Sequence, residues 1–257
     1  MANLGPRRVM IWAHPRALST VFELSLASRV ESKVFHELYA RAYYSGDDRV
    51  YDNKIARMPG YTFKDAIEIL EKDYSRKDVI LCKDIAMCLD GKYDRLPKGY
   101  IHTFLIRDPR LSIRSLCKVL EITDQPKGMP LTGGVKQLYD LHNYVTNTLK
   151  QQSIIIDASD LTNEPEKLIR KLCEAVGIPY CESYLNWKPY NTDHWHAVCK
   201  DTPLHVLFDN AVKSTHFKPT DDTNNYVDIS RLPHYAQLQI RAALPYYNEL
   251  FEKRLQP

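Results

Sequence analysis

The stretch VMIWAHPRALSTVFELSLASRV, residues 9–30, contains a short loop whose residue types suit the binding of an anion. An apolar run ends at Ala13, and an amphipathic stretch begins near Ser19. A strand, a loop and the first turn of a helix together present unpaired backbone N–H groups and the positive end of a helix dipole. Arg16 and the hydroxyls of Ser19 and Thr20 add further donors. The stretch therefore predicts a loop that binds phosphate or a similar anion.

This loop differs from the phosphate loop of a nucleotide kinase. That loop has the pattern G-x-x-x-x-G-K-[ST], in which glycines let the backbone wrap the phosphates and lysine reaches the terminal one. Only Ser19 and Thr20 match it here. The same two residues are also common helix caps. A second phosphate contact is needed to decide between the two interpretations.

The segment HTFLIRDPRLSIRSLCKVL, residues 102–120, offers that second contact. Arg107 ends an apolar run, and Ser115 lies about two turns into a helix that Pro109 can open. A guanidinium fork and a hydroxyl near one edge of a sheet suit a second, separate phosphate. Alternatively, Arg107 and Asp108 form an ion pair at the end of the strand.

Five short apolar runs alternate with helical patterns, which predicts an α/β protein with a central, mainly parallel sheet covered on both faces. The predicted strands are 9–13, 33–36, 79–82, 102–106 and 154–157. Helices are predicted after the opening loop and at 64–72, 109–120, 135–149 and 165–176. A loop-rich segment follows at 180–225, with one short helix near 203–212. The chain then ends in a helix over 233–255 that Pro245 interrupts.

Length and composition predict one domain and exclude some classes of partner. The 257 residues, 44% of them hydrophobic, can bury one sizeable core, with residues 1–179 as the core and 180–257 as a cap and C-terminal helices. A net charge of +3 gives no reason to expect a surface that binds nucleic acid or a membrane.

The cysteines bear on the compartment of the protein. Six cysteines without a CxxC pair indicate reduced thiols, so we expect a cytoplasmic protein. No apolar run suits a signal peptide or a membrane span. The sequence leaves a homodimer open.

Together the motifs resemble the sulfotransferase superfamily, whose members use 3′-phosphoadenosine 5′-phosphosulfate (PAPS). HPRALST is similar to its 5′-phosphosulfate loop, P-[KR]-S-G-[ST]-T, and IRDPRLSIRS resembles its 3′-phosphate motif, with Arg107 and Ser115 eight residues apart. IIIDASDLTNEPEKLIRKLCEAVGIPY resembles the strand, turn and helix that follow. The match spans about residues 8–180 and implies a P-loop-like three-layer sandwich. The resemblance also implies that two groups of residues bind PAPS. The first group is Arg16, Ala17, Leu18, Ser19 and Thr20, and the second is Arg107 with Ser115.

Two residues depart from the usual pattern. Leu18 stands where the family has glycine, so the loop must be reshaped if that position needs a positive φ. Arg16 replaces a lysine of the cytosolic branch and is more similar to the branch that includes tyrosylprotein enzymes and some bacterial enzymes. VFHELYARAYYSG also resembles little-characterised small proteins, some labelled as similar to branched-chain aminotransferases. The sequence gives no evidence for a lysine that binds pyridoxal phosphate, so it does not support that label.

The resemblance implies in-line transfer of a sulfuryl group, so catalysis rests on positioning and on stabilising charge at the leaving phosphate. Arg16 and the loop amides suit this task, and we predict no metal. The segments DTNNYVD and TDHWH contain ligand-type residues, but their composition is ordinary for surface loops.

The transfer also needs a base for the acceptor, and Glu37 is the first candidate because it directly follows the second strand. Partial burial there would raise its pKa from about 4.3. His36 should point to the opposite side. Lys83 and Asp84, which end the third predicted strand, can act as electrophile and base or pair with each other. His14 can orient the loop or touch the sulfuryl oxygens.

From this resemblance we expect the acceptor to be a small molecule or a peptide with a hydroxyl or amine group, and the sequence does not specify it further. The segment 39–61 and the cap residues Trp195, His194, His196 and His216 are candidates to line its pocket or to stack on adenine. Two alternatives stay open: a small-molecule kinase, and a non-catalytic protein that binds adenosine bisphosphate.

Overall fold

The computed structural model describes residues 5–50, 57–121, 124, 129–189, 192, 195, 203–219 and 227–257. Within them, five strands form one sheet: β1 (Arg7–Ala13), β2 (Ser32–His36), β3 (Val79–Ile85), β4 (Ile101–Ile106) and β5 (Ile155–Asp157). All four pairings are parallel, and the spatial order is β2-β3-β1-β4-β5. The predicted α/β class with a parallel sheet is confirmed.

Helices flank this sheet. They are α1 (Ser19–Ala27), α2 (Leu38–Ser45), α3 (Phe63–Glu71), α4 (Pro109–Leu120), α5 (Val135–Asn147), α6 (Ala158–Asn163), α7 (Pro165–Val176), α8 (Asp209–Val212) and α9 (His234–Glu252). Every residue of β3 is buried. Because successive residues of a strand point to opposite faces, β3 is covered on both sides.

The strand order determines where a ligand can bind. β1 lies at the centre, with Ala13 paired to Ile85 of β3 on one side and to Leu105 of β4 on the other. The chain leaves β1 toward β2 on one side and later adds β4 on the opposite side. In such sheets the crevice outside the carboxyl ends of the strands, at the point where the order reverses, receives ligands. The loop after Ala13 therefore lies at the expected place.

Several predicted elements differ from the observed ones, and three of the differences are described here. β3 runs three residues further than predicted, because its charged residues Lys83 and Asp84 are buried among polar partners and do not mark an exposed end. The final helix continues through Pro245. Proline removes one helical hydrogen bond there, and burial of Ala243 and Tyr247 offsets that loss. The short helix near 203–212 is a 3₁₀ turn, Pro203–Leu207, followed by α8.

The cysteines agree with the expectation of free thiols. Cys82, Cys88, Cys117 and Cys173 are buried and unpaired, and Cys181 is partly buried and unpaired. Cys199 lies outside the described residues. No helix in the described part of the chain is long and apolar enough to cross a membrane.

Candidate active site

The loop between β1 and α1 contains two non-glycine residues in the left-handed region, Arg16 and Leu18, each with φ 64°. Leu18 is the N-cap of α1 and makes no side-chain cap hydrogen bond. A glycine-type backbone conformation is thus adopted with leucine in place, and Leu18 packs against the core. The sequence did not determine whether the backbone at position 18 needs a positive φ, and the structure shows that it has one.

This loop leaves backbone donors available at the start of α1. The N–H groups of Ser19 and Thr20 have no acceptor within the helix because of their position, and the helix dipole adds partial positive charge. The N–H of Ala17, in contrast, donates to the carbonyl of His14 at 3.3 Å. The start of α1 is therefore the part of the loop best suited to an anion.

His14 holds the loop in place. The backbone N–H of Arg107 donates to His14 Nε2 at 3.1 Å, so the proton of the ring is on Nδ1, which donates to the Pro15 carbonyl at 3.1 Å. Burial lowers the pKa of His14 to about 4, so the ring is neutral near pH 7. Both ring nitrogens are engaged, which favours a positioning role over proton transfer.

Gly134 is a part of this loop's surroundings that sequence reasoning missed. It caps α5 with φ 91°, and a Cβ at this position would lie 3.1 Å from Pro15 Cδ. Only glycine meets both conditions without strain. The pair of glycines before α5 was the available signal, because it marks a close approach of backbones.

The predicted contacts for two phosphates converge beside this loop. Arg16 Nε donates to Ser115 Oγ at 3.1 Å, and an amino group of Arg107 donates to the Arg16 carbonyl at 3.1 Å. Asp108 pairs with Arg110. α4 and β4 thus bring Arg107 and Ser115 to the same place as Arg16.

A second group of polar residues joins the loop to the start of α2. Glu37 takes a left-handed conformation, φ 49°, and its N–H donates to the Lys83 carbonyl at 2.8 Å. Lys83 Nζ donates to Glu37 Oε1 at 2.5 Å and to Thr20 Oγ1 at 3.4 Å. One buried ammonium group therefore lies between the candidate base and the first turn of α1. This ammonium stabilises the charged carboxylate, whereas the sequence suggested desolvation alone.

His36 does not point away from Glu37 as predicted. Its Nδ1 donates to Glu23 Oε2 at 2.6 Å, and its Nε2 is 3.9 Å from Glu37 Oε2. Strand alternation does not apply because Glu37 has already left the strand and turned into the left-handed conformation. Sequence reasoning missed Glu23, whose role depends on how α1 packs on the sheet.

Asp84 caps α2. Its carboxylate accepts from the N–H groups of Tyr39 at 2.6 Å, Ala40 at 3.1 Å and Ile85 at 2.8 Å. Burial, with a contribution from Glu37, raises the pKa of Asp84 to about 8 against the effect of these hydrogen bonds. Its oxygens are used within the fold, which makes it a weak candidate for the base.

The C-terminal segment covers this group of residues. Trp195 stacks on His36 with ring centroids 3.7 Å apart and planes 6° apart, and Phe208 meets His36 edge-on at 5.3 Å. The Leu207 carbonyl accepts from Arg16 at 2.6 Å. His216 is exposed and pairs with Asn186 in an isolated bridge. His194, His196 and residues 51–56 of the predicted acceptor segment lie outside the described residues.

In the part of the chain that the structure describes, no group of three or more His, Cys, Asp or Glu residues is arranged to hold a metal ion. Of the two segments with ligand-type residues, 222–226 and positions 193, 194 and 196 lie outside the described part.

Leu18 provides a test of the loop geometry. Leu18→Val is expected to destabilise the protein by on the order of 1 kcal/mol, because a β-branched side chain fits the left-handed region poorly. Leu18→Met is the control, since it is unbranched at Cβ and of similar volume. Thermal unfolding measures both variants. Equal melting temperatures for the two would show that the conformation at position 18 does not matter.

The parallel sheet, with its central strand leading through this loop into α1, places the chain in the class of P-loop-like α/β proteins. Residues 7–253 match the family model described as Sulfotransferase domain. The chain belongs to the sulfotransferase family.

Two solved structures share the fold. The sulfotransferase domain from the Synechococcus PCC 7002 olefin synthase aligns with a TM-score of 0.62 and 16% identity, covering 94% of this chain and 96% of that domain. The sulfotransferase domain from the curacin biosynthetic pathway aligns with a TM-score of 0.52 and 14% identity, covering 95% and 98%. At these identities the likeness concerns the fold.

Two Arabidopsis thaliana proteins are 30% identical to this chain. They are named branched-chain-amino-acid aminotransferase-like protein 1, matched over 187 residues or 71% of this chain, and protein 2, matched over 245 residues or 93%. The chain spans 32% and 40% of their respective lengths.

Proposed function

We propose that the chain transfers a sulfuryl group from PAPS to a hydroxyl or amine group of a small molecule or peptide. The observation that carries the proposal is the cluster in which Arg16 donates to Ser115 and Arg107 donates to the Arg16 carbonyl. Two guanidinium groups and a hydroxyl beside the first turn of α1 support the binding of one ligand with two separate anionic groups.

The charge of Arg16 supports the fit of such a ligand. Its acceptors are the Ser115 hydroxyl and the Leu207 carbonyl, which are both uncharged. Neither of these two acceptors neutralises the charge of the Arg16 guanidinium. Arg16 and the N–H groups of Leu18, Ser19 and Thr20 would hold the 5′ side of PAPS. Arg107 and Ser115 would hold its 3′-phosphate.

Positioning and charge stabilisation are the main contributions expected of these residues. Bound PAPS supplies a sulfuryl group already activated by its bond to a phosphate oxygen. Arg16 and the start of α1 stabilise the negative charge that grows on that oxygen as the bond breaks. They are held in place before the reaction, because His14 and the neighbouring backbone fix the loop.

Glu37 accepts the proton of the acceptor. As the acceptor oxygen or nitrogen bonds to sulfur and the bond from sulfur to the phosphate oxygen breaks, the proton moves to the Glu37 carboxylate. It then passes to solvent, which restores the charged carboxylate. The Lys83 ammonium, between Glu37 and Thr20, is positioned to stabilise negative charge on the group in transfer.

Adenosine 3′,5′-bisphosphate, the nucleotide product, is expected to stabilise the protein by about 2.7 kcal/mol at a hundredfold excess over its dissociation constant. The reason is that it carries both phosphates that the cluster is suited to hold. ATP with magnesium should stabilise the protein only weakly. Thermal unfolding with each ligand measures this, and stronger stabilisation by ATP would favour a small-molecule kinase.

Transfer from sulfur-labelled PAPS to a panel of phenols, alcohols and amines tests the activity itself. Labelled product is the expected result. Tight nucleotide binding without transfer to any acceptor in the panel would favour a non-catalytic protein that binds adenosine bisphosphate.

A further inference from the structure

Glu23 has no assigned role, yet it lies at the centre of the buried polar cluster. It is on α1, four residues after Ser19, and is 1% exposed. Its Oε2 is 2.6 Å from His36 Nδ1 and 3.7 Å from Lys83 Nζ. Taking a carboxylate out of water is costly unless partners compensate it. A functional role therefore explains the buried Glu23 carboxylate better than a contribution to the stability of the fold.

The ammonium of Lys83 has two carboxylates around it. Lys83 is fully buried, and Nζ lies 2.5 Å from Glu37 Oε1 and 3.7 Å from Glu23 Oε2. When Glu37 takes up a proton, its negative charge disappears. Glu23 then remains as the carboxylate beside the ammonium. Without Glu23, neither of the two carboxylate positions 2.5 and 3.7 Å from the ammonium would carry a charge at that moment, and the ammonium would tend to give up its own proton.

We propose that Glu23 is a positioning residue that keeps Lys83 charged and in place while Glu37 is protonated. The proposal rests on the proposed function, in which Glu37 is the base. In this proposal Glu23 stays negatively charged throughout the reaction, whereas Glu37 is protonated during it. The two carboxylates near Lys83 therefore have different roles.

His36 fixes Glu23 from the other side. The imidazole donates to Glu23 through Nδ1, and its ring stacks on Trp195 at 3.7 Å. Phe208 packs edge-on against both His36 and Trp195. These aromatic side chains hold the imidazole and keep Glu23 directed at Lys83. Among the described residues, the charged or titratable groups near Glu23 include His36, Lys83 and Cys82, and beyond Lys83 lie Glu37 and Asp84.

Glu37→Gln provides a direct test, because glutamine has the shape of a protonated glutamate and carries no charge. The protein is labelled with carbon-13 at the lysine Cε, whose chemical shift reports protonation of Nζ, and the Lys83 signal is assigned by its loss in Lys83→Met. In Glu37→Gln, Lys83 is expected to stay protonated at neutral pH. In the double variant Glu23→Gln, Glu37→Gln it is expected to become neutral. The exposed Lys64, paired with Glu68, is the internal reference.

The result that would overturn the proposal is a neutral Lys83 in Glu37→Gln, or a charged one in the double variant. The protonation state of Lys83 is measured without an acceptor, so the result is informative even if the transfer assay detects no product. If the double variant does not fold, a neutral Lys83 in Glu37→Gln still contradicts the role of Glu23, and a charged one leaves the decision to the comparison of Glu23→Gln with Glu23→Asp below.

Turnover gives a second readout with any acceptor that the transfer assay identifies. Glu23→Gln is expected to lower turnover by on the order of 10²-fold through loss of positioning. It should also move the acid limb of the pH profile to lower pH, because removing a nearby negative charge lowers the pKa of the base. Glu23→Asp, which keeps the charge, should leave the limb in place. A fall in rate without a shift of the limb would indicate a structural role only.

Discussion

Glu37→Gln is expected to lower turnover by roughly 10² to 10⁴ while the affinity for adenosine 3′,5′-bisphosphate stays nearly unchanged. Glutamine keeps the shape of the side chain and still offers an oxygen to Lys83, but it cannot take up a proton at neutral pH. The nucleotide would be held by the loop and by Arg107 with Ser115, which contact other parts of the chain. The expected effect is therefore on the chemical step and not on binding.

The measurement combines steady-state transfer with calorimetric titration of the bisphosphate. Glu68→Gln is a matched control, because Glu68 forms an exposed ion pair with Lys64 on α3 and should affect neither quantity. If Glu37→Gln keeps near-normal turnover, the base is another group, with Asp84 and His14 as the remaining candidates. If it also loses nucleotide binding, Glu37 is needed for the structure of the loop.

The strands could be predicted from the sequence because parallel strands buried on both faces appear as short apolar runs. All five predicted runs lie within or next to an observed strand. α4 and α7 were predicted with their observed bounds, since proline opens each of them and Gly177 ends the second. These signals are local, so one sequence is sufficient to detect them.

The contacts of the candidate site could be predicted only in part. The loop and the placement of Arg107 and Ser115 beside it follow from spacing along one strand and one helix. The link between Glu23, His36 and Lys83 depends on how α1 rests on β2 and β3, and no spacing encodes that packing. Lys83 suggested a strand end because charged residues are seldom buried, yet here the carboxylates of Glu23 and Glu37 lie beside its ammonium group.

Arg107→Ala is expected to weaken the binding of adenosine 3′,5′-bisphosphate by about 1.5 to 3 kcal/mol, since it removes a charge-assisted contact to the 3′-phosphate. Arg107 also donates to the carbonyl of Arg16, so a loss of affinity could come from a displaced loop. Adenosine 5′-phosphate separates the two causes because it has no 3′-phosphate. If Arg107 binds that group, the variant should lose affinity for the bisphosphate and bind the monophosphate as the unchanged protein does.

Calorimetric titration of both nucleotides into three variants completes this test. Arg107→Lys keeps the charge but loses the planar fork, so its affinity for the bisphosphate should fall between those of Arg107→Ala and the unchanged protein. Arg110→Ala is the matched control, because this exposed arginine lies nearby on α4 and pairs with Asp108. Equal losses for the two nucleotides in Arg107→Ala would assign Arg107 to the loop. An unchanged affinity for the bisphosphate would remove Arg107 from the site, because a direct contact between charged groups that are partly shielded from water cannot be lost without cost.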